Sequence, residues 1–178
     1  MIKFITGNIN KFAEVKAVLA DLERLDIDLP EIQSLDPQEI VEFKLKTALE
    51  HVSGDIIIED TSLYIEGLHG LPGPLIKWFM KAMGREGLAK NVLATGNDRA
   101  EAKTIIGYAD SDGKTSYFEG VVAGRIVMPQ GETTFGWDPI FIPDDSEMTF
   151  AEMGIEEKNK ISMRREAAQK LKYFLNLK

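Results

Sequence analysis

A chain of 178 residues, 44% hydrophobic and 28% charged, has globular proportions, and its length favours one domain, or one domain with two lobes. It has no cysteine and only two histidines, His51 and His69, which excludes disulfides and thiolate metal sites and leaves a hard, oxygen-liking ion such as Mg²⁺ as the natural metal. A net charge of −8 argues against a nucleic-acid partner, which needs a basic footprint, yet a small anion can still be held by a few lysines aimed into one cleft.

No apolar run approaches the ~20 residues of a membrane span, so no membrane partner is expected. Met1-Ile2-Lys3-Phe4-Ile5 reads as a short strand and not as a signal peptide, which makes the cytoplasm the expected location.

In chain order, Ile2 to Thr6 reads as a buried strand. Phe12, Val15, Val18, Leu19 and Leu22 recur at helical spacing after a Gly-Asn loop. Glu39 to about Val52 reads as a second helix. Asp55 to Ile58 is an apolar, β-branched run suited to a central strand, ending at Glu59-Asp60-Thr61-Ser62. Leu75 to Met83 and Leu88 to Leu93 read as helical, split by Gly84 and Gly87. Ala102 to Ala109 and Thr115 to Val122 form a hairpin across Asp110-Ser111-Asp112-Gly113-Lys114, with Gly124 to Met128 as a candidate third strand. Arg164 to Asn176 closes the chain as an amphipathic helix. The interleaving predicts an α/β fold with a mixed, twisted sheet flanked by helices.

Five segments and one further acid carry chemistry, and each has a plainer alternative. Thr6-Gly7-Asn8-Ile9-Asn10-Lys11 places a strand-to-helix turn where free amides and the helix dipole favour an anion, with Lys11 in reach. The plainer reading is a turn with an Asn cap and a solvated lysine. Glu59 and Asp60 stand where a buried strand stops, at the sheet edge where ligands of open α/β sheets bind. Only one of the two can face a cleft if strand alternation persists. The alternative is an exposed strand end.

Leu71-Pro72-Gly73-Pro74 sets a rigid turn, Pro74 is placed to start a helix, and Lys77 follows one turn in; otherwise it is a stiff loop with Trp78 in the core. Phe135-Gly136-Trp137-Asp138-Pro139 is an aromatic corner suited to stacking on a flat base, at about 1–3 kcal/mol per base, or equally a core corner with a buried Trp. The run Glu156 to Arg165 leads from alternating charges into the last helix. Arg164 near the positive end of that helix is electrostatically misplaced unless an acceptor rewards it; charge runs otherwise are solvated faces. Glu31, next to Pro30, reads as a fixed ligand or as an ordinary loop acid.

Together and in this order, these segments resemble the inosine triphosphate pyrophosphatases, the Ham1-like or non-canonical purine NTP pyrophosphatases. The matching runs are Thr6-Gly7-Asn8 with Lys11 and Glu14, Leu29-Pro30-Glu31, Glu59-Asp60-Thr61, Leu71-Pro72-Gly73-Pro74 through Lys77-Trp78-Phe79, Phe135-Gly136-Trp137-Asp138-Pro139, Phe150-Ala151-Glu152-Met153, and Glu157-Lys158-Asn159 with Ser162 and Arg164. They span nearly the whole chain, so residues 1–178 are expected as one Ham1-like domain, two lobes with the active-site cleft between them.

The resemblance implies Mg²⁺-dependent hydrolysis of ITP, dITP and XTP to the monophosphate and pyrophosphate, with Mn²⁺ as a possible substitute and a homodimeric assembly. It implies that Thr6, Gly7, Asn8, Ile9, Asn10 and Lys11 cradle the triphosphate. Glu31 and Asp60 would bind the metal, and Asp60 would accept the proton of the attacking water. Thr61, Lys44, Lys77 and Lys158 would contact substrate. Phe135 would stack on the base with Gly136, Trp137 and Asp138 around it, and Arg164 would read the 6-oxo group. Arginine has only donors, so adenine, with its 6-amino donor, would leave both sides unpaired.

One position departs from the family pattern. Ser162-Met163-Arg164 stands where the family usually has Ser-His-Arg. Met163 can pack against a ring but cannot donate a useful hydrogen bond, a loss of ~0.5–1.5 kcal/mol. The expected consequence is weaker or broader base selection. In the extreme it is a nucleotide-binding member with little turnover.

Overall fold

The computed structural model describes residues 1–132 and 136–177. Strands and helices follow in the order β1 (Ile2–Ile5), α1 (Ile9–Lys16), β2 (Leu22–Leu25), α2 (Pro37–Leu49), β3 (Ile56–Ile65), β4 (Pro72–Gly73), α3 (Ile76–Ala94), β5 (Arg99–Ala109), β6 (Thr115–Ile126), β7 (Phe141–Pro143), α4 (Gly154–Ile161) and α5 (Met163–Asn176). The sheet runs β2-β1-β3-β5-β6-β7, with β4 on β3. β1 is parallel to β2 and β3, whereas β3–β4 and β6–β7 are antiparallel, so the sheet is mixed. This is the α/β class that the sequence pattern predicts.

The chain divides into two compact units. The first comprises residues 1–61, 104–120 and 163–178; the second comprises residues 62–103 and 121–162. In the first unit, strand alternation sorts the apolar side chains onto two faces. Phe4, Ile57, Ile106 and Tyr108 pack with Val15, Val18 and Leu19 and with Ala167, Ala168 and Leu171 of α5. Ile5, Ile56, Ile58 and Ile105 pack with Val41, Leu45 and Ala48 of α2. One face of these strands therefore carries α1 and α5, and the other carries α2.

Five local expectations are corrected. Helix α1 ends at Lys16 and Leu22 opens a strand, so the apolar spacing of Val18, Leu19 and Leu22 overstates the helix. The amides of Val18 and Leu19 both return to the Val15 carbonyl, at 3.0 and 2.9 Å, which closes the helix in a turn. Strand β3 does not stop at Glu59 and Asp60 but continues to Ile65, with Leu63 and Ile65 fully buried. The two acids can sit inside a strand because cations meet them there, as described below.

Gly124 is not a break before a third strand, since β6 is continuous to Ile126. A Cβ at Gly124 would lie 2.3 Å from the Ile142 carbonyl oxygen, so the glycine admits the close approach of β7. Pro74 does not start α3, which begins at Ile76. The break at Gly84 is present, at φ 68° and ψ −178°, a backbone region essentially reserved for glycine. Gly87 leaves the helix intact. Among the described residues, no helix is long and apolar enough to cross a membrane.

Candidate active site

The first unit carries the capped turn between β1 and α1. Asn8 caps α1 in extended backbone, and its Oδ1 accepts from the amides of Asn10 and Lys11 at 3.0 and 3.2 Å. The Thr6 hydroxyl oxygen accepts from the Asn8 amide at 3.1 Å. Gly7 is not among the glycines with positive φ. A Cβ there would stand 3.2 Å from Asp26 Oδ1, the end of an exposed side chain that is free to move aside. Thr6, Gly7, Asn8, Ile9, Asn10 and Lys11 thus form one continuous cap, with Ile9 exposed.

Strand β3 presents Glu59 and Asp60 to opposite faces, as period-two geometry requires. Glu59 joins the α1/α5 face. Its Oε2 accepts from Arg164 Nε at 2.9 Å and from the Thr61 hydroxyl at 3.1 Å, and its Oε1 meets the Lys11 ammonium. Arg164 also donates through Nη1 to Glu14 at 2.6 Å and through Nη2 to Thr61 at 2.9 Å. Thr61 lies 3.3 Å from the Thr104 hydroxyl. Burial pushes the Glu59 carboxyl up, but Arg164 and Lys11 outweigh it and hold the group down to about 2. Burial likewise opposes the Arg164 charge, and Glu59 and Glu14 reverse that and raise its pKa.

Asp60 joins the α2 face. Lys44 on α2 stands 3.1 Å from Glu31 Oε2 and 3.7 Å from Asp60 Oδ1, bridging the two acids. Asp60 Oδ2 is buried without a hydrogen-bond partner. Burial pushes the Asp60 carboxyl up to about 6, further helped by Glu59 and Glu31, while Lys11 and Lys44 pull against it. Two neighbouring carboxyls are thereby separated, one a permanent anion and the other near neutrality. Such a split marks acid–base assignments in enzyme sites.

In the second unit, Lys77 lies in the first turn of α3 with its ammonium 5.5 Å from the Trp78 ring centre. Trp78 is 45% exposed, so it is not the core residue of the plainer reading. Trp137 is buried and packs edge-on against Phe141 at 5.5 Å. Asp138 and Lys158 are both buried and form an ion pair at 2.6 Å, with the Lys158 ammonium 5.4 Å from the Phe150 ring centre. Gly136 adopts φ 35°, and its carbonyl accepts from Arg85 Nε at 2.6 Å. Phe135, the expected stacking residue, lies outside the described residues.

Met163 opens α5 and is fully buried beside Arg164. A Cβ at Gly120 would fall 1.9 Å from the Met163 carbonyl oxygen, so β6 passes flush against the helix start.

Sequence reasoning missed two partners. Glu14 matched a family run without a role, and its position one turn beyond Lys11 was the available signal. Arg85 carried none, because it acts through a backbone carbonyl 51 residues away.

A sheet flanked by helices carries buried carboxyls and lysines around a capped strand-to-helix turn, an α/β protein with donors and cations suited to an anion. The chain belongs to the Ham1 family, which matches residues 2–174. It is 43% identical over 178 residues to the inosine triphosphate pyrophosphatase of Schizosaccharomyces pombe, covering 98% of this chain and 94% of that one. It is 41% identical over 172 residues to the dITP/XTP pyrophosphatase of Methanopyrus kandleri, covering 94% and 92%. Among solved structures, the Ham1 protein of Staphylococcus aureus is similar at a TM-score of 0.77 and 26% identity, over 99% of this chain and 98% of that one. A HAM1 protein from Coxiella burnetii shares the fold at a TM-score of 0.80 and 23% identity, over the whole of both chains.

Proposed function

We propose that the protein hydrolyses non-canonical purine nucleoside triphosphates, ITP, dITP and XTP, to the monophosphate and pyrophosphate, and so clears them from the cytoplasmic nucleotide pool. The relatives' names support the substrate class. The observation that carries the chemistry is Asp60, buried, with one partnerless oxygen and the other 3.7 Å from the Lys44 ammonium that also meets Glu31.

A general base must reach its proton by geometry first, and Asp60 offers a buried oxygen with no other partner. It takes the proton of a water that attacks the α-phosphorus, and the α–β bridging oxygen leaves with the pyrophosphate. Lys11, with the amides of the Asn8 turn, and Lys44 and Lys77 offset the charge that develops on the leaving group.

Mg²⁺, or Mn²⁺ in its place, fits Glu31 and Asp60. Two carboxylates share one lysine there, and an orphaned buried oxygen is suited to a hard cation. The metal supplies charge neutralisation of the phosphates and activation of water. The family resemblance assigns further substrate contacts to Thr61 of the first unit, to Gly136, Trp137, Asp138 and Lys158 of the second, and to Phe135, outside the described residues.

Arg164 reads the 6-oxo group in this proposal. Its Nε, Nη1 and Nη2 already serve Glu59, Glu14 and Thr61, so the base must share a donor with one of them. Met163 beside it supplies packing and no donor, which favours a broad preference among 6-oxo purines. The protein acts as a homodimer, as the family resemblance implies.

The test is product analysis with ITP and Mg²⁺. Pyrophosphate and IMP are expected, and Asp60→Asn should lower kcat by at least about a hundredfold, the ordinary worth of a general base. Release of orthophosphate would place cleavage at another bond. Binding of ITP without turnover would make this a nucleotide-binding member instead.

A further inference from the structure

We propose that Glu59 is a positioning residue that holds Lys11 and Arg164 with the two oxygens of one carboxylate, an internal anion that substrate phosphate displaces from Lys11. The inference rests on the reading of Lys11 as a phosphate-gripping lysine and adds to it what holds that lysine beforehand.

Glu59 Oε2 takes Arg164 Nε at 2.9 Å and the Thr61 hydroxyl at 3.1 Å, while Oε1 faces the Lys11 ammonium. Glu14 completes the cluster at 2.6 Å from Arg164 Nη1. Two cations and two anions therefore balance within one group. Their access to water is unequal. The side chains of Arg164 and Glu59 are 0% and 1% exposed, that of Glu14 is 8%, and that of Lys11 is 24%. A desolvated charge must keep a partner. Lys11 is the member of the cluster that can exchange one, and it belongs to the phosphate turn.

A polyphosphate arriving at the turn competes with Glu59 for that ammonium. Removing the Glu59 charge should therefore strengthen polyphosphate binding. The same change leaves Arg164 Nε a neutral amide oxygen in place of a carboxylate, while Glu14 still pairs with Nη1. Arg164 is then held less firmly, and discrimination at the base should fall. One substitution moves two recognition properties in opposite directions, which a general loss of structure does not do.

The test uses the full chain. Calorimetry measures inorganic tripolyphosphate binding without metal, and kinetics measure the ratio of kcat/KM for ITP over GTP. Glu59→Gln should lower the tripolyphosphate Kd by about tenfold, equivalent to about 1.4 kcal/mol, and should reduce the ITP/GTP ratio several-fold. Glu14→Gln, which touches Arg164 but not Lys11, should reduce the ratio and leave the Kd unchanged. An unchanged or weaker tripolyphosphate affinity in Glu59→Gln overturns the proposal.

Should that variant fail to fold, Glu59→Asp keeps a charge beside Arg164 and withdraws it from Lys11 by one methylene. A smaller tightening is then expected, and its absence is equally fatal. Lys11→Met separates the two levels. If it leaves tripolyphosphate affinity unchanged, the phosphate role of Lys11 fails. If it weakens binding while Glu59→Gln does not strengthen it, only the role of Glu59 fails.

Discussion

Glu59 and Asp60 are adjacent in the chain, both buried, and opposite in acidity, because alternation sends one to Arg164 and Lys11 and the other to Lys44. Their effects on stability run in opposite senses. Asp60 has a folded-state pKa of about 6, above its ordinary 3.8. The fold therefore favours its protonated form, and the stability it lends is present below the ordinary value and lost as pH rises to about 6. Glu59 is held at about 2, below its ordinary 4.5. Its contribution is present above 4.5 and lost as pH falls towards 2.

In denaturant unfolding of the metal-free protein, Asp60→Asn should therefore gain about 2–3 kcal/mol over the parent at pH 8, with little gain at pH 4. A constant difference between the two pH values would show that the Asp60 carboxyl is not strained by burial. Much of this was legible as a disjunction, since alternation allows one of the two acids per face. Which acid faces which cation was not legible, because the partner of Glu59 is Arg164, 105 residues away.

Elements here are joined by contacts that sequence patterns register poorly. The Lys158–Asp138 pair ties α4 to the turn preceding β7, yet α4 reads in sequence as a run of solvated charge. Removing one partner of a buried pair costs about 3–5 kcal/mol, and replacing both costs less. Lys158→Met should thus be more destabilising than Lys158→Met with Asp138→Asn, as thermal melts of the two variants would reveal.

The β6–α5 contact makes a sharper case. At Gly120 an added Cβ meets backbone, 1.9 Å from the Met163 carbonyl oxygen and 2.8 Å from the Ala167 amide nitrogen. Overpacking of that kind costs about 1–3 kcal/mol or more. Gly120→Ala should lower the melting temperature by several degrees, whereas Gly113→Ser, in open space at a turn with φ 80°, should cost about 1 kcal/mol of local strain. Equal losses in the two variants would remove the close-approach explanation.

For the molecule as a whole, fold class and the order of the main elements follow from periodicity, and the hairpin at Asp110 to Lys114 follows from its turn residues. The short strands β4 and β7 were not legible. Strands of two and three residues have no period of their own and exist because β3 and β6 offer an edge. If the homodimeric reading is right, light scattering coupled to size exclusion will return twice the chain mass of 19.9 kDa, and a mass of one chain would refute it.

The two compact units have a consequence for dissection of the protein. The first is assembled from three stretches of chain and the second from two. Three of the four crossings fall inside β3, β5 and β6, and the fourth falls between α4 and α5. Neither unit corresponds to a continuous length of gene. No single truncation isolates one of them, and no simple exchange of segments with a relative transplants one intact. A chimaera joined at residue 61, 103 or 120 would cut a strand in half. Recombination that preserves the fold must place its joints in the loops, and of the four crossings only the one between α4 and α5 lies in a loop.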